Sequence, residues 1–296
     1  MATTEITWPK KTREYEDMDA DSTRWNEFKF RDGDVVVNTL GKSGTTWMQQ
    51  IVGQLIFDGA EGLYGDPMGG PSSISVWLEL RVVPLKDVFA RLEAQTHRRF
   101  IKSHLPIDAL VFSPKAKYIY VGRDMRDIVW SWYAAITVPM REPKNPPSLP
   151  LLPKVSVREF YLHVADYEPM WKHIQNWWEF RNLPNVLFVH FNDLKADLES
   201  EFRRIARFLD IPIKESLLPQ MLAHCGLDYM QEQMRGADPM SAPFATSFFA
   251  HKGTNGRWKD VLTADEIALA DKAAAKYLSP DCARWLKTGE KPMGEK

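Results

Sequence analysis

The chain is poor in cysteine, with only Cys225 and Cys282 in 296 residues. A disulfide framework is therefore not expected, and neither cysteine sits in a metal-ligand spacing. Both read as ordinary thiols of a reduced compartment. No stretch approaches 18 consecutive apolar residues, which argues against a membrane-spanning helix. The first residues, MATTEITWPKKTREYEDMD, are polar and charged where a signal peptide needs an apolar segment, so a soluble, cytoplasmic protein is the expectation. Charge of one sign is missing too, since 38 basic residues against 39 acidic give a formal net charge of −1. Without a global field, neither nucleic acid nor an anionic membrane is expected as a partner, and any anion specificity must be local. Internal repeats and linkers are also lacking. Residues 1–296 are read as a single domain, large enough to bury roughly 75% of the surface its unfolded chain exposes.

What the chain does hold is a phosphate-binding turn. In residues 34–58, DVVVNTLGKSGTTWMQQIVGQLIFD, a β-branched apolar run meets Gly-Lys-Ser-Gly-Thr-Thr and passes at once into a helical pattern. Backbone N–H groups at such a turn and helix start converge on an anion, Gly41 and Gly44 let the chain curl, and Lys42 adds a full charge. A Walker A loop would need a Gly separated by four residues from its Gly-Lys pair, and Val36 stands there instead.

Short apolar runs rich in Val, Ile, Phe and Tyr occur at Asp34–Thr39, Arg99–Lys102, Tyr118–Val121 and Val186–Phe191. They do not alternate, as befits strands covered on both faces. Helical patterns lie between them at Thr45–Phe57, Asp124–Ile136, Val157–Phe180 and Leu198–Leu209, with more at Ile213–Gln233 and Ala264–Tyr277. The alternation predicts an α/β fold with a central, mostly parallel sheet flanked by helices. Two segments break the pattern. Residues 139–153 carry six prolines and are expected as a stiff loop that walls or covers a site. Residues 236–256 mix Gly, Pro, Ser and Phe, and are expected to fold over something, because Phe244, Phe248 and Phe249 are poorly suited to solvent.

Three further features carry chemistry. In Ile101-Lys102-Ser103-His104-Leu105-Pro106, Lys102 and His104 share one side of an extended chain at a strand end, where ligands bind in such sheets. An imidazole with an unperturbed pKa of about 6.5 suits proton abstraction from a hydroxyl, although such a His more often serves structure. Arg123 leaves the next strand end, and Ser131 follows eight residues later, a little over two helical turns, so both can reach one phosphate. A pairing of Arg123 with Asp127 is the plainer alternative. Last, Lys252-Gly253-Thr254-Asn255-Gly256-Arg257-Trp258-Lys259 is a basic, glycine-punctuated turn able to face an anion. The eleven tryptophans exceed what a core needs, which points to a site for an apolar or aromatic small molecule.

Together these residues resemble a family. The KSGTTW loop at 42–47, IKSHLP at 101–106, YVGRDMRDIVWSWY at 120–133 and KGTNGRWK at 252–259 occur in the order seen in cytosolic PAPS-dependent sulfotransferases. The resemblance covers about residues 25–262, leaving 263–296 as a C-terminal helical segment. It implies sulfuryl transfer from 3′-phosphoadenosine 5′-phosphosulfate (PAPS), leaving 3′-phosphoadenosine 5′-phosphate (PAP), to a small hydroxyl or amine acceptor without a metal. Lys42, Ser43, Gly44, Thr45 and Thr46 would hold the 5′-phosphosulfate, and Trp47 would stack on adenine. Arg123 and Ser131 would grip the 3′-phosphate together with His251, Lys252 and Gly253. His104 resembles the catalytic base and Lys102 the lysine that steadies the sulfuryl group. Trp77, Phe89, Trp132, Tyr133, Phe244 and Phe248 lie in segments that surround the acceptor in relatives, although each would serve equally as core.

Departures from the pattern are specific. Phe191 replaces a Tyr whose hydroxyl helps the nucleotide, His251 replaces an Arg, and Cys225 and Leu227 replace residues that commonly touch it. Lys259, Thr263 and Ala264 echo a short dimerisation segment, with Ala268 in place of its acidic member, so a homodimer by that route would have to form without it. Two other readings compete: a metabolite kinase using ATP and Mg²⁺, and a catalytically silent nucleotide-binding protein. The first lacks its Walker spacing here, and the second would be more attractive without Lys42 and His104.

Overall fold

Among the described residues four short strands, β1 (Val35–Thr39), β2 (Phe100–Ser103), β3 (Lys117–Gly122) and β4 (Val186–His190), form a parallel sheet in the order β2-β1-β3-β4. The computed structural model describes residues 6–61, 63, 74–141, 155–237 and 253–291. Val37 pairs with Lys102 on one side and Ile119 on the other, which brings the ends of β1 and β2 level. Side chains alternate across the sheet. Val36, Tyr118 and Tyr120 join one apolar cluster, and Val35, Val37, Ile119 and Val121 join the other. Strands covered on both faces must be apolar throughout, and β1 and β2 are buried at every position.

Helix α1 (Thr45–Ile56) follows β1, α2 (Leu85–Ala94) precedes β2, and α3 (Met125–Arg141) follows β3. The predicted helix at 157–180 is two helices, α4 (Val157–Val164) and α5 (Glu168–Trp178). Pro169 explains the break, because it lacks the N–H and crowds the preceding turn of a continuing helix, whereas it fits the first turn of a new one. After β4 come α6 (Phe191–Ala196) and α7 (Leu198–Leu209). Residues 213–233 likewise divide, into α8 (Leu218–His224) and α9 (Leu227–Ala237), with Pro219 in the first turn of α8 and Gly226 between the two. Helices Ala264–Tyr277 and Pro280–Thr288 end the described chain. Helix α3 runs through Pro139 to Arg141, three residues into the Pro-rich stretch expected to be loop; a proline near a helix end disturbs few hydrogen bonds. The remainder of that stretch, 142–153, lies outside the described residues.

Trp25, Trp171, Trp177, Trp178 and Trp285 are fully buried core. Trp285, from the last helix, lies so close to Gly122 that a Cβ there would sit 2.2 Å from its ring. Cys225 and Cys282 are buried free thiols. Among the described residues no helix is long and apolar enough to cross a membrane.

Candidate active site

The chain order β1, β2, β3 against the spatial order β2-β1-β3 places a topological switch between β1 and β3, and a crevice opens at the carboxyl ends of strands at such a point. One continuous cavity of about 1420 Å³ occupies it. That exceeds the roughly 300–1,000 Å³ of a typical small-molecule pocket and is room for two ligands side by side. Its wall includes Lys42, Gly44, Thr45, Thr46, Trp47, Trp77, Lys102, His104, Arg123, Ser131, Trp132 and Gly253.

The phosphate turn is built as its sequence requires. Lys42 and Gly44 both have positive φ, 70° and 117°, and a Cβ on Gly44 would approach the Phe191 ring to 3.0 Å. Gly44 caps α1 without a capping side chain, so the first-turn N–H groups lack a side-chain acceptor. The Ser43 hydroxyl and the Trp47 indole N–H are buried without a hydrogen-bond partner, the condition expected where a ligand completes the site. Burial, then the charges of Lys102 and Arg123, lowers the Lys42 ammonium to a pKa of about 7.

At the second strand end, Lys102 places its ammonium 3.9 Å from the Trp77 ring centroid. Burial lowers its pKa to about 8, against the opposing pull of Glu79 and Asp19. His104 is held on three sides. Its Nδ1 lies 2.8 Å from the Thr39 carbonyl, its backbone N–H donates to Glu79 Oε1 at 2.6 Å, and its carbonyl lies 3.1 Å from His173 Nε2. A carbonyl can only accept, so Nδ1 carries the proton and Nε2 keeps the basic lone pair. Burial, reinforced by the Lys102 charge, holds the His104 pKa well below 6.5, leaving the ring neutral at pH 7.

Glu79 has no counterpart among the sequence expectations. It is completely buried, and its carboxylate also accepts from Trp25 Nε1 at 2.9 Å. A lone acid inside the apolar stretch Val76-Trp77-Leu78-Glu79-Leu80 was the available signal. Glu79→Gln should cost about 1–3 kcal/mol, because an amide oxygen cannot serve both donors and one buried N–H is left unpaired. Urea unfolding measures this, and unchanged stability would show that Glu79 does not hold His104.

At the third strand end Arg123 is buried, and its guanidinium stacks 4.2 Å from the centroid of Phe191, the ring that stands in place of a Tyr. Arg123 Nε and Nη2 donate to Asn255 Oδ1 at 3.0 and 2.6 Å, and Nη1 to the Lys42 carbonyl at 3.2 Å. The alternative pairing with Asp127 is not made. Asp127 Oδ1 accepts instead from Gly256 N–H at 2.7 Å and Trp258 Nε1 at 3.1 Å. Cys225 and Leu227 line the cavity, as does Arg257, to which the sequence assigned no role.

Of the expected acceptor residues, Trp77 and Trp132 reach the cavity. Phe89 packs against the core instead, and Tyr133 donates its hydroxyl to the Val155 carbonyl beside Phe160, so neither contributes to the wall as described. Phe244, Phe248, His251 and Lys252 lie outside the described residues. Among the described residues no group of three or more His, Cys, Asp or Glu could hold a metal ion.

Comparison with known proteins converges on one family. The glycolipid sulfotransferase of Mycobacterium tuberculosis (strain ATCC 25177 / H37Ra) is 30% identical over 94% of both chains. Sulfotransferase 1B1 of Mus musculus is 30% identical over 86% of both. Among solved structures, retinol dehydratase in complex with androsterone and the inactive cofactor PAP shares the fold with a TM-score of 0.69 at 21% identity, covering 87% of this chain and 84% of that one. Mouse sulfotransferase SULT7A1 complexed with PAP also gives 0.69, at 19% identity over 94% and 99%. Residues 32–281 match the sulfotransferase domain, and the chain belongs to that family.

Proposed function

We propose that this single domain works in the cytoplasm as a PAPS-dependent sulfotransferase acting on a hydroxyl or amine of a small, apolar or aromatic acceptor. The observation that carries the reading is the shared cavity: it joins the Lys42 turn and Arg123 to His104 within one space large enough for donor and acceptor together. PAPS supplies the activated sulfuryl group. The unpartnered Ser43 hydroxyl and the uncapped start of α1, with Thr45 and Thr46, fit its 5′-phosphosulfate, and Trp47, in the first turn of α1 and on the cavity wall, stacks on adenine in this reading.

Lys42 stabilises charge at the leaving oxygen, and Lys102 does the same at the sulfuryl oxygens. Nε2 of His104 takes the acceptor's proton as transfer proceeds in line. Arg123, Ser131 and Gly253 hold the 3′-phosphate, joined by His251 and Lys252. Trp77 and Trp132 form apolar walls on the acceptor side.

Thermal unfolding with PAP and with ADP, each with and without Mg²⁺, tests the nucleotide. At 100 times its dissociation constant PAP should add about 2.7 kcal/mol of stability, independent of Mg²⁺. Preference for ADP with Mg²⁺ would favour a kinase, and no response to either would leave a silent fold. PAP release from PAPS with a panel of phenols, aliphatic alcohols and amines then identifies the acceptor.

A further inference from the structure

We propose that Arg257 supplies a second guanidinium to the 3′-phosphate of the bound nucleotide. The inference rests on the nucleotide reading above and concerns a residue to which that reading gives no task.

Arg123 is largely spent on the protein itself. A guanidinium has five N–H groups. Here Nε and Nη2 hold Asn255 Oδ1, Nη2 also reaches the Thr254 carbonyl at 3.4 Å, and Nη1 meets the Lys42 carbonyl. One Nη1 N–H remains, beside Ser131 and Gly253 on the same wall, for a phosphate that offers three acceptor oxygens and close to two negative charges. A further fork of donors is needed.

Arg257 is built to provide it. Asp127 Oδ1 accepts from Gly256 N–H and from the Trp258 indole, so the residues on both sides of Arg257 are pinned to the first turn of α3. Gly253 and Gly256, at φ 60° and 77°, let the chain make that turn, and Lys195 Nζ holds the Gly253 carbonyl at 2.7 Å. With its backbone fixed, Arg257 lines the same cavity as Arg123, Ser131 and Gly253. Its Nε is buried without a hydrogen-bond partner. A donor left in that state costs stability unless a ligand accepts from it. The two guanidiniums also repel, each beside the same Asp127, whose Oδ1 is already engaged; a phosphate between them would relieve both.

The experiment compares dissociation constants for PAP and for 5′-AMP, which lacks the 3′-phosphate, by calorimetry. In the Arg257→Gln protein, PAP is expected to weaken tenfold or more while 5′-AMP stays within twofold of wild type. Equal loss for both nucleotides, or loss for neither, would overturn the assignment. Should the Gln variant not fold, Arg257→Lys, which keeps the charge but not the fork, is expected to weaken PAP and spare 5′-AMP; wild-type affinity for PAP would overturn the proposal. A wild-type protein that binds PAP no more tightly than 5′-AMP would fail the nucleotide reading itself, independently of Arg257.

Discussion

His104→Ala will lower turnover by about 10²–10⁴ and leave PAP affinity nearly unchanged, the signature of a lost general base. The tautomer is fixed by the Thr39 carbonyl, which takes the Nδ1 proton and leaves Nε2 as the only nitrogen able to receive one. Burial and the Lys102 charge hold the pKa well below 6.5, so the base form is fully present at neutral pH. Protonation of His104 would cost activity only once the pH falls through that lowered value. Hence kcat/KM, which reports the free protein, should show no decline from pH 7.5 to 6.5 attributable to this residue. Turnover of the Ala variant within a few-fold of wild type would remove His104 as the base.

Lys42→Met should cost about 10²–10³ in turnover, the effect of removing one preorganised charge from a developing anion. It should also change how binding responds to pH. In the free protein the Lys42 pKa is lowered to about 7, because burial and the neighbouring Lys102 and Arg123 disfavour its charge. An anionic nucleotide reverses that balance, so the bound state favours the protonated amine and binding near neutral pH takes up a proton. PAP affinity should therefore decline as pH rises above about 7, by at most tenfold per unit for this one group. Lys102, lowered to about 8, adds a later step. Calorimetry in buffers of different ionisation enthalpy reads the proton directly. Proton uptake that survives intact in the Met variant would refute this account of Lys42.

Much of this was legible before any coordinates. Strands buried on both faces need continuous β-branched and aromatic runs, so β1 and β4 fall within a residue of the runs at 34–39 and 186–191. Helix α7 and the helix at Ala264–Tyr277 begin and end as their periodicity says. Helix α2 was not expected, although Leu85, Val88, Phe89 and Leu92 recur at i, i+3, i+4 and i+7, a helical signal that the sequence did offer. The sequence placed Lys42, His104 and Arg123 near strand ends or helix starts and Ser131 two turns further along a helix, and topology then determined that those ends meet. For Glu79 the sequence signalled a buried acid but not its partners. Its importance comes from the backbone of a residue 25 positions away and from Trp25, 54 positions away, and such pairings exist only once the chain has folded. Arg257 sat inside a motif yet had no assigned task, since the motif does not reveal that two of the Arg123 nitrogens are engaged by Asn255.

The contact between Trp285 and Gly122 has a consequence for how this protein could change over generations. Gly122 immediately precedes Arg123, and no side chain fits there while the indole remains in place. A lineage could enlarge residue 122 only after shrinking residue 285, and the intermediate would carry a void in a cluster that also holds Trp178 and Phe188. Drift in the helix that carries Trp285 is thereby chained to the strand end that carries Arg123, although the two are separated by most of the sequence.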